Sequence, residues 1–211
     1  MLLTAHAVLV LALFQAAPAA AATPAEPEGL PAPFQDVTEE DIQEAVHPGQ
    51  AKPDEISEAR LWKGEGTPRL LVLFGRTEAS TYEVALLGLE KGALTVLARY
   101  VETVRWDDAK GFDLAPYRVT KDRTAFGVKY QRNMSGATGD FVKLYLRSGT
   151  TFHPIFEHVI YYSATESDDW GSATIRLAPG QGEYQDLVVV NSSNARERWV
   201  WDAKAQAYRE K

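Results

Sequence analysis

Cysteine is absent from the 211-residue chain. Disulfides, thiolate metal ligands and a cysteine nucleophile are therefore excluded, as is the cysteine-linked lipid of a bacterial lipoprotein. Histidine occurs only four times, and no H-E-x-x-H or EF-hand spacing is present. A G-x-S-x-G elbow is also missing, so no motif positions a serine nucleophile. Lysine and arginine form no block anywhere, and the formal net charge is −7. Both facts argue against a nucleic-acid partner, because phosphate backbones are held by clustered basic surface. Beyond residue 22 no apolar run approaches the roughly 20 residues that cross a bilayer, so no transmembrane segment is expected once the leader is removed.

That leader is the most specific signal present. Leu2 to Phe14 is an uncharged run rich in Leu, Val and Ala, followed by Gln15 and then Ala16-Ala17-Pro18-Ala19-Ala20-Ala21-Ala22. The run is too short to span a membrane, and small residues at alternate positions before Thr23 suit a signal peptidase. Residues 1–22 therefore read as a signal peptide cut after Ala22, although no Lys or Arg precedes the apolar run. The mature protein is expected in the bacterial periplasm or secreted. About 189 residues remain, and burial alone must hold them together. A chain of that size removes about 70% of its unfolded surface from water.

Residues 23–57 read as a proline-rich linker, since Pro24, Pro27, Pro31, Pro33, Pro48 and Pro53 deny it a sheet or a long helix. Within it Thr38 caps a predicted short helix over 39–46, with Glu39-Glu40-Asp41 at the positive end of its dipole. Ile42, Ala45 and Val46 give that helix a small apolar face, which suits a strap against the rest of the chain. Residues 58–211 read as a single β domain. Apolar stretches at Arg69–Arg76, Ala125–Arg132 and Asp186–Ser193 each lead through a polar loop to a second strand, and then by a turn to a third. A weaker strand precedes each set. The expected fold is all-β: three consecutive antiparallel four-stranded meanders, arranged as a propeller-like open arc or as a β-sandwich or barrel. In Phe141–Arg147, Val142, Leu144 and Leu146 share one face while Lys143, Tyr145 and Arg147 share the other.

The stretch Phe112-Asp113-Leu114-Ala115-Pro116-Tyr117-Arg118, followed by Ala125-Phe126-Gly127-Val128 and Leu144-Tyr145-Leu146, resembles a set of uncharacterised exported bacterial proteins. The likeness spans about residues 105–162. It implies export and carries no assigned activity and no functional residue.

Acidic residues beside tryptophan are the candidate chemistry. Glu166, Asp168 and Asp169 precede Trp170, Asp107 and Asp108 follow Trp106, and Asp202 follows Trp201. Asp168, Asp169 and Trp170 are the candidate binding residues, because an indole stacks on a sugar's C–H face while a carboxylate accepts its hydroxyls. The competing reading is that W-D and D-D open turns, with Asp bonding its own backbone and Trp packing the strand end. Trp199 and Trp201 fall on one side of their strand and read as core. His153 and His158 would point to opposite faces of a regular strand, so they share a metal only across a bulge at Pro154. No metal or cofactor is expected. The sequence thus reads as a non-enzymatic binding protein with a protein or glycan partner. The alternative is a hydrolase using two carboxyls about 5–10 Å apart to cleave glycans. Intact-mass analysis of the exported product is expected to find Thr23 at its N-terminus; a product beginning at Met1 would remove the signal-peptide assignment.

Overall fold

The computed structural model describes residue 30 and residues 32–50, 55–62, 66–76, 81–104, 110–134, 137–164 and 172–211. The expected signal peptide, residues 1–22, lies outside them. Three separate four-stranded sheets follow one another along the chain. The first comprises β1 (Glu55–Trp62), β2 (Arg69–Arg76), β3 (Thr81–Glu90) and β4 (Ala93–Thr103). The second comprises β5 (Lys110–Tyr117), β6 (Ala125–Met134), β7 (Ala137–Ser148) and β8 (Thr151–Ala164). The third comprises β9 (Ala173–Ala178), β10 (Asp186–Asn191), β11 (Arg196–Asp202) and β12 (Ala207–Glu210). Each is an antiparallel meander in chain order, as the repeat predicts, and none of the three closes into a barrel.

The sheets stack face to face, because period-two alternation divides each strand between two cores. Leu70, Val72 and Phe74 of β2 enter one cluster, while Leu71 and Leu73 enter the next. On the second sheet, Phe126, Val128 and Tyr145 face the first sheet, and Val142, Leu144 and Leu146 face the third. Equivalent strands of successive sheets lie against each other, with β1 beside β5, β4 beside β8 and β8 beside β12. That is the relation between neighbouring propeller blades.

A helix covers the free face of the first sheet. α1 (Glu39–Val46) starts at a capping box in which the Asp41 amide donates to the Thr38 hydroxyl, and the Thr38 amide donates to the Asp41 carboxylate at 2.8 Å. The Thr38 hydroxyl, which donates to the same carboxylate at 2.6 Å, and then the Thr38 amide hold the Asp41 carboxyl below its ordinary value. Ile42 and Val46 are buried on β2 and β3 together with Phe34. At the helix end His47 Nε2 lies 3.0 Å from the buried Glu83 carboxylate, which Arg99 also contacts. A ring contact of His47 with Phe74, 5.0 Å between centroids, fixes the imidazole further.

The third sheet is covered on one face only. Leu187, Val189 and Tyr208 pack against the second sheet together with Ile175, Leu177, Trp199 and Trp201. Both tryptophans are half-buried against this core, the position their alternation predicts. The intervening residues point away, and among the described residues none of them joins a core cluster.

The Phe112–Gly127 stretch is structural. Phe112 packs beside Tyr82, 5.3 Å between ring centroids, and Ala125 and Phe126 are buried. A Cβ on Gly127 would stand 2.7 Å from both the Tyr117 ring and Leu144, so the missing side chain lets Tyr117 lie across β6. Gly127→Ala is therefore expected to lower unfolding free energy by about 1–3 kcal/mol through overpacking, read from urea unfolding midpoints at unchanged m-value.

Candidate functional site

Besides a shallow hollow of about 360 Å³ at His158, Glu197 and Trp199, two concave places lined by described residues carry chemistry. One is a cleft of about 270 Å³ between the first two sheets, lined by Glu102, Tyr130, Arg132, Lys143 and Glu157. The other is a groove of about 490 Å³ at one end of the third sheet.

The cleft follows from tyrosines in an aromatic core. Tyr82 and Tyr145 are fully buried, and a buried phenol needs a hydrogen-bond partner. Their hydroxyls bond to each other, and Tyr145 donates onward to Glu102 Oε2 at 3.1 Å. The same oxygen accepts from the Tyr100 hydroxyl at 2.8 Å and from Lys143 Nζ at 3.0 Å. Lys143 also reaches Glu157 at 3.7 Å, and Glu157 accepts from Tyr130 at 3.2 Å. Burial pushes all four phenols up, Tyr100 to about 12. For Glu102, burial works to raise the carboxyl, but the bonds from Tyr100, Lys143 and Tyr145 outweigh it and hold the group below its ordinary 4.5.

The groove is built by the 179–185 segment, which folds back over the sheet end. Gly180 makes the fold possible: a Cβ there would sit 2.1 Å from the Tyr184 carbonyl oxygen. Tyr184 then stacks flat on Trp201, with centroids 3.8 Å apart and planes at 5°. Trp201 in turn meets the buried Tyr208 edge-on at 5.4 Å. The platform is pinned to the second sheet. Arg123 Nη1 donates to the Tyr184 hydroxyl at 2.6 Å, and the Gln185 amide donates to the Val119 carbonyl at 2.8 Å. The Tyr208 hydroxyl closes the segment by donating to the Gln185 carbonyl at 2.7 Å. Gln181, Glu183 and Lys211 complete the polar lining. Asp186 is buried at its base, where Arg198 Nε donates to it at 2.7 Å.

The tryptophan-linked acids divide. Asp168, Asp169 and Trp170 lie outside the described residues, as do Glu166, Trp106, Asp107 and Asp108. Asp202 follows the turn reading. Its carboxylate accepts from the Lys204 and Ala205 amides at 2.9 and 3.0 Å and from Arg209 Nε at 2.8 Å. Those bonds, the one from Ala205 first, hold it below its ordinary value. The two histidines have separate surroundings despite an irregularity in β8 between Pro154 and Phe156. His158 Nε2 lies 2.7 Å from Glu197 and its ring stacks on Phe156, whereas burial and the Arg123 charge lower the His153 pKa. No group of three metal-ligating side chains occurs among the described residues.

Sequence reasoning missed Tyr184, which stands in no recognisable motif. It also missed Glu102, Lys143 and Glu157, whose separation of up to 55 positions leaves no motif. No protein family, curated protein or solved structure matches this chain.

The Glu102 junction has a definite pH signature. A carboxyl held low in the folded chain stabilises it above the unfolded value near 4.5, and that contribution is lost as pH falls through the folded value. Glu102→Gln is expected to lower stability by about 1.5–3 kcal/mol near pH 7. Denaturant titrations should show the gap between variant and parent narrowing below pH 4.5.

Proposed function

We propose that the protein is an exported, non-enzymatic binding protein of the bacterial envelope or exterior, and that it holds a saccharide in the groove of the third sheet. The observation that carries this reading is the fixed ring stack of Tyr208, Trp201 and Tyr184, whose outer ring is half-exposed at the groove. A flat, immobilised aromatic face accepts the C–H side of a sugar ring with no ordering of its own on binding. Beside it, the Gln181 amide oxygen and the Glu183 carboxylate supply acceptors for hydroxyls. Export rests on the leader and on the likeness of the Phe112–Val128 stretch to exported proteins.

The alternative, a carboxylate-dependent glycan hydrolase, has its own observation in the cleft. Glu102 and Glu157 contact one ammonium at 3.0 and 3.7 Å, so their oxygens lie within about 7 Å of each other, inside the span used for glycoside hydrolysis. A general acid needs a raised carboxyl. Glu102 is shifted the opposite way, and the lysine between the pair neutralises charge that a nucleophile would need. Binding is therefore the better reading.

Tryptophan fluorescence of the mature protein, titrated with envelope-derived and plant-type oligosaccharides, tests the groove. Tyr184→Ala is expected to weaken the binding seen by about tenfold or more, as loss of one stacking platform does. Unchanged affinity in that variant would overturn the assignment. Release of reducing ends that Glu102→Gln abolishes would establish the hydrolase instead.

A further inference from the structure

The outer face of the third sheet breaks the pattern of an acidic protein. Strand alternation directs Arg176 of β9, Arg196 and Arg198 of β11, and Arg209 of β12 to the side away from the core. Lys211 continues the row, since its amide donates to the Arg198 carbonyl at 2.9 Å. These five cations share the face with two carboxylates, Asp186 and Asp202, in a chain whose net charge is −7. Both carboxylates are already paired, with Arg198 and Arg209. Arg176 and Arg196 are exposed, and neither makes an ion pair with another described residue. Between them lie Val188 and Val190, only half-buried. Val188 stands directly opposite both Arg176 and Arg198, and Val190 opposite Arg196.

This face and the groove are one surface. Asp186, Val200 and Lys211 belong to both. Three kinds of contact therefore adjoin: a ring platform, acceptors for hydroxyls, and guanidinium groups whose planar forks match carboxylates. Duplex nucleic acid, with its bases stacked inside the helix, and polyphosphate satisfy only the last. An acidic peptide offers few hydroxyl donors to Gln181 and Glu183. An acidic saccharide satisfies all three at once.

Resting on the saccharide reading of the groove, we infer that the ligand is a carboxylate-bearing polysaccharide, a polyuronate, seated by one ring on Tyr184 and running its carboxylates over Arg176 and Arg196. The half-buried valines between the arginines fit beneath its sugar rings.

The test uses the mature full-length protein with polygalacturonate as probe, beside neutral dextran, polyglutamate and duplex DNA. Polygalacturonate is expected to bind most tightly, with affinity falling as salt rises. The doubly substituted Arg176→Ala, Arg196→Ala protein is expected to lose about tenfold in affinity and to show a flatter salt dependence, its circular dichroism unchanged because both side chains are exposed. If dextran binds as well as polygalacturonate, with Tyr184→Ala impaired and the arginine variant not, the polyuronate inference falls and the groove reading survives. If polyglutamate or DNA binds equally and Tyr184→Ala has no effect, the surface is a bare anion exchanger and both fall. Concentration-dependent self-association abolished by the arginine variant, with no polymer bound, would assign the face to the acidic helix end of a second copy and overturn the inference.

Discussion

Every apolar sheet face in this protein must find another layer, and that single requirement generates the architecture. Without cross-links, stability comes from area removed from water, at about 25 cal/mol per Å² of apolar surface. A strand such as β2, with Leu70 to Phe74 buried without interruption, exposes both faces unless two layers cover it. The helix supplies one and the second sheet the other. The second sheet, apolar on both sides in turn, recruits the third. The capping box at Thr38 and the His47–Glu83–Arg99 contacts therefore matter beyond their own energies. They hold in place the small helix that closes one end of the stack.

The interior between the first two sheets is aromatic, and its polar atoms explain the cleft. Tyr82, Tyr130 and Tyr145 bury large ring areas, yet each carries a hydroxyl that burial would penalise if unpaired. Glu102 and Glu157 answer that demand, and Lys143 balances their charge. A cluster with two carboxylates and a lysine looks catalytic in outline. Here its protonation runs toward structural satisfaction, because the hydrogen bonds favour the ionised carboxylate. The groove of the third sheet differs in kind. Its ring stack is assembled from three segments, packs against the core of the third sheet, and leaves the Tyr184 ring half-exposed at the groove.

The stack is finished asymmetrically. At one end α1 presents Glu39, Glu40, Asp41 and Glu44 to solvent over a fully covered sheet. At the other, the third sheet has one face in the core and the other lined by arginine and valine. β10 shares the unbroken apolar pattern of β2, but only Leu187 and Val189 have a layer to enter. The valines that remain lie at the surface, where a soluble domain usually places polar residues. That mismatch between pattern and covering layers is what the proposed binding face rests on.

The chain order and period of the amino acids determined the twelve strands, their grouping in fours and the helix at 39–46, since alternation, turn residues and caps act over a few positions. Asp202 was equally legible, because its carboxylate bonds amides two and three residues away. What only the tertiary structure decided is which side chains from distant strands meet. Arginines spread over 34 positions, from 176 to 209, make no block in the sequence. They become a single basic face because β9, β11 and β12 lie in one sheet in matching register. Tyr184 became a platform only when Arg123, from the β5–β6 loop of the second sheet, fixed its hydroxyl. Local pattern is written along the chain, whereas the meeting of remote residues is set by how whole sheets pack.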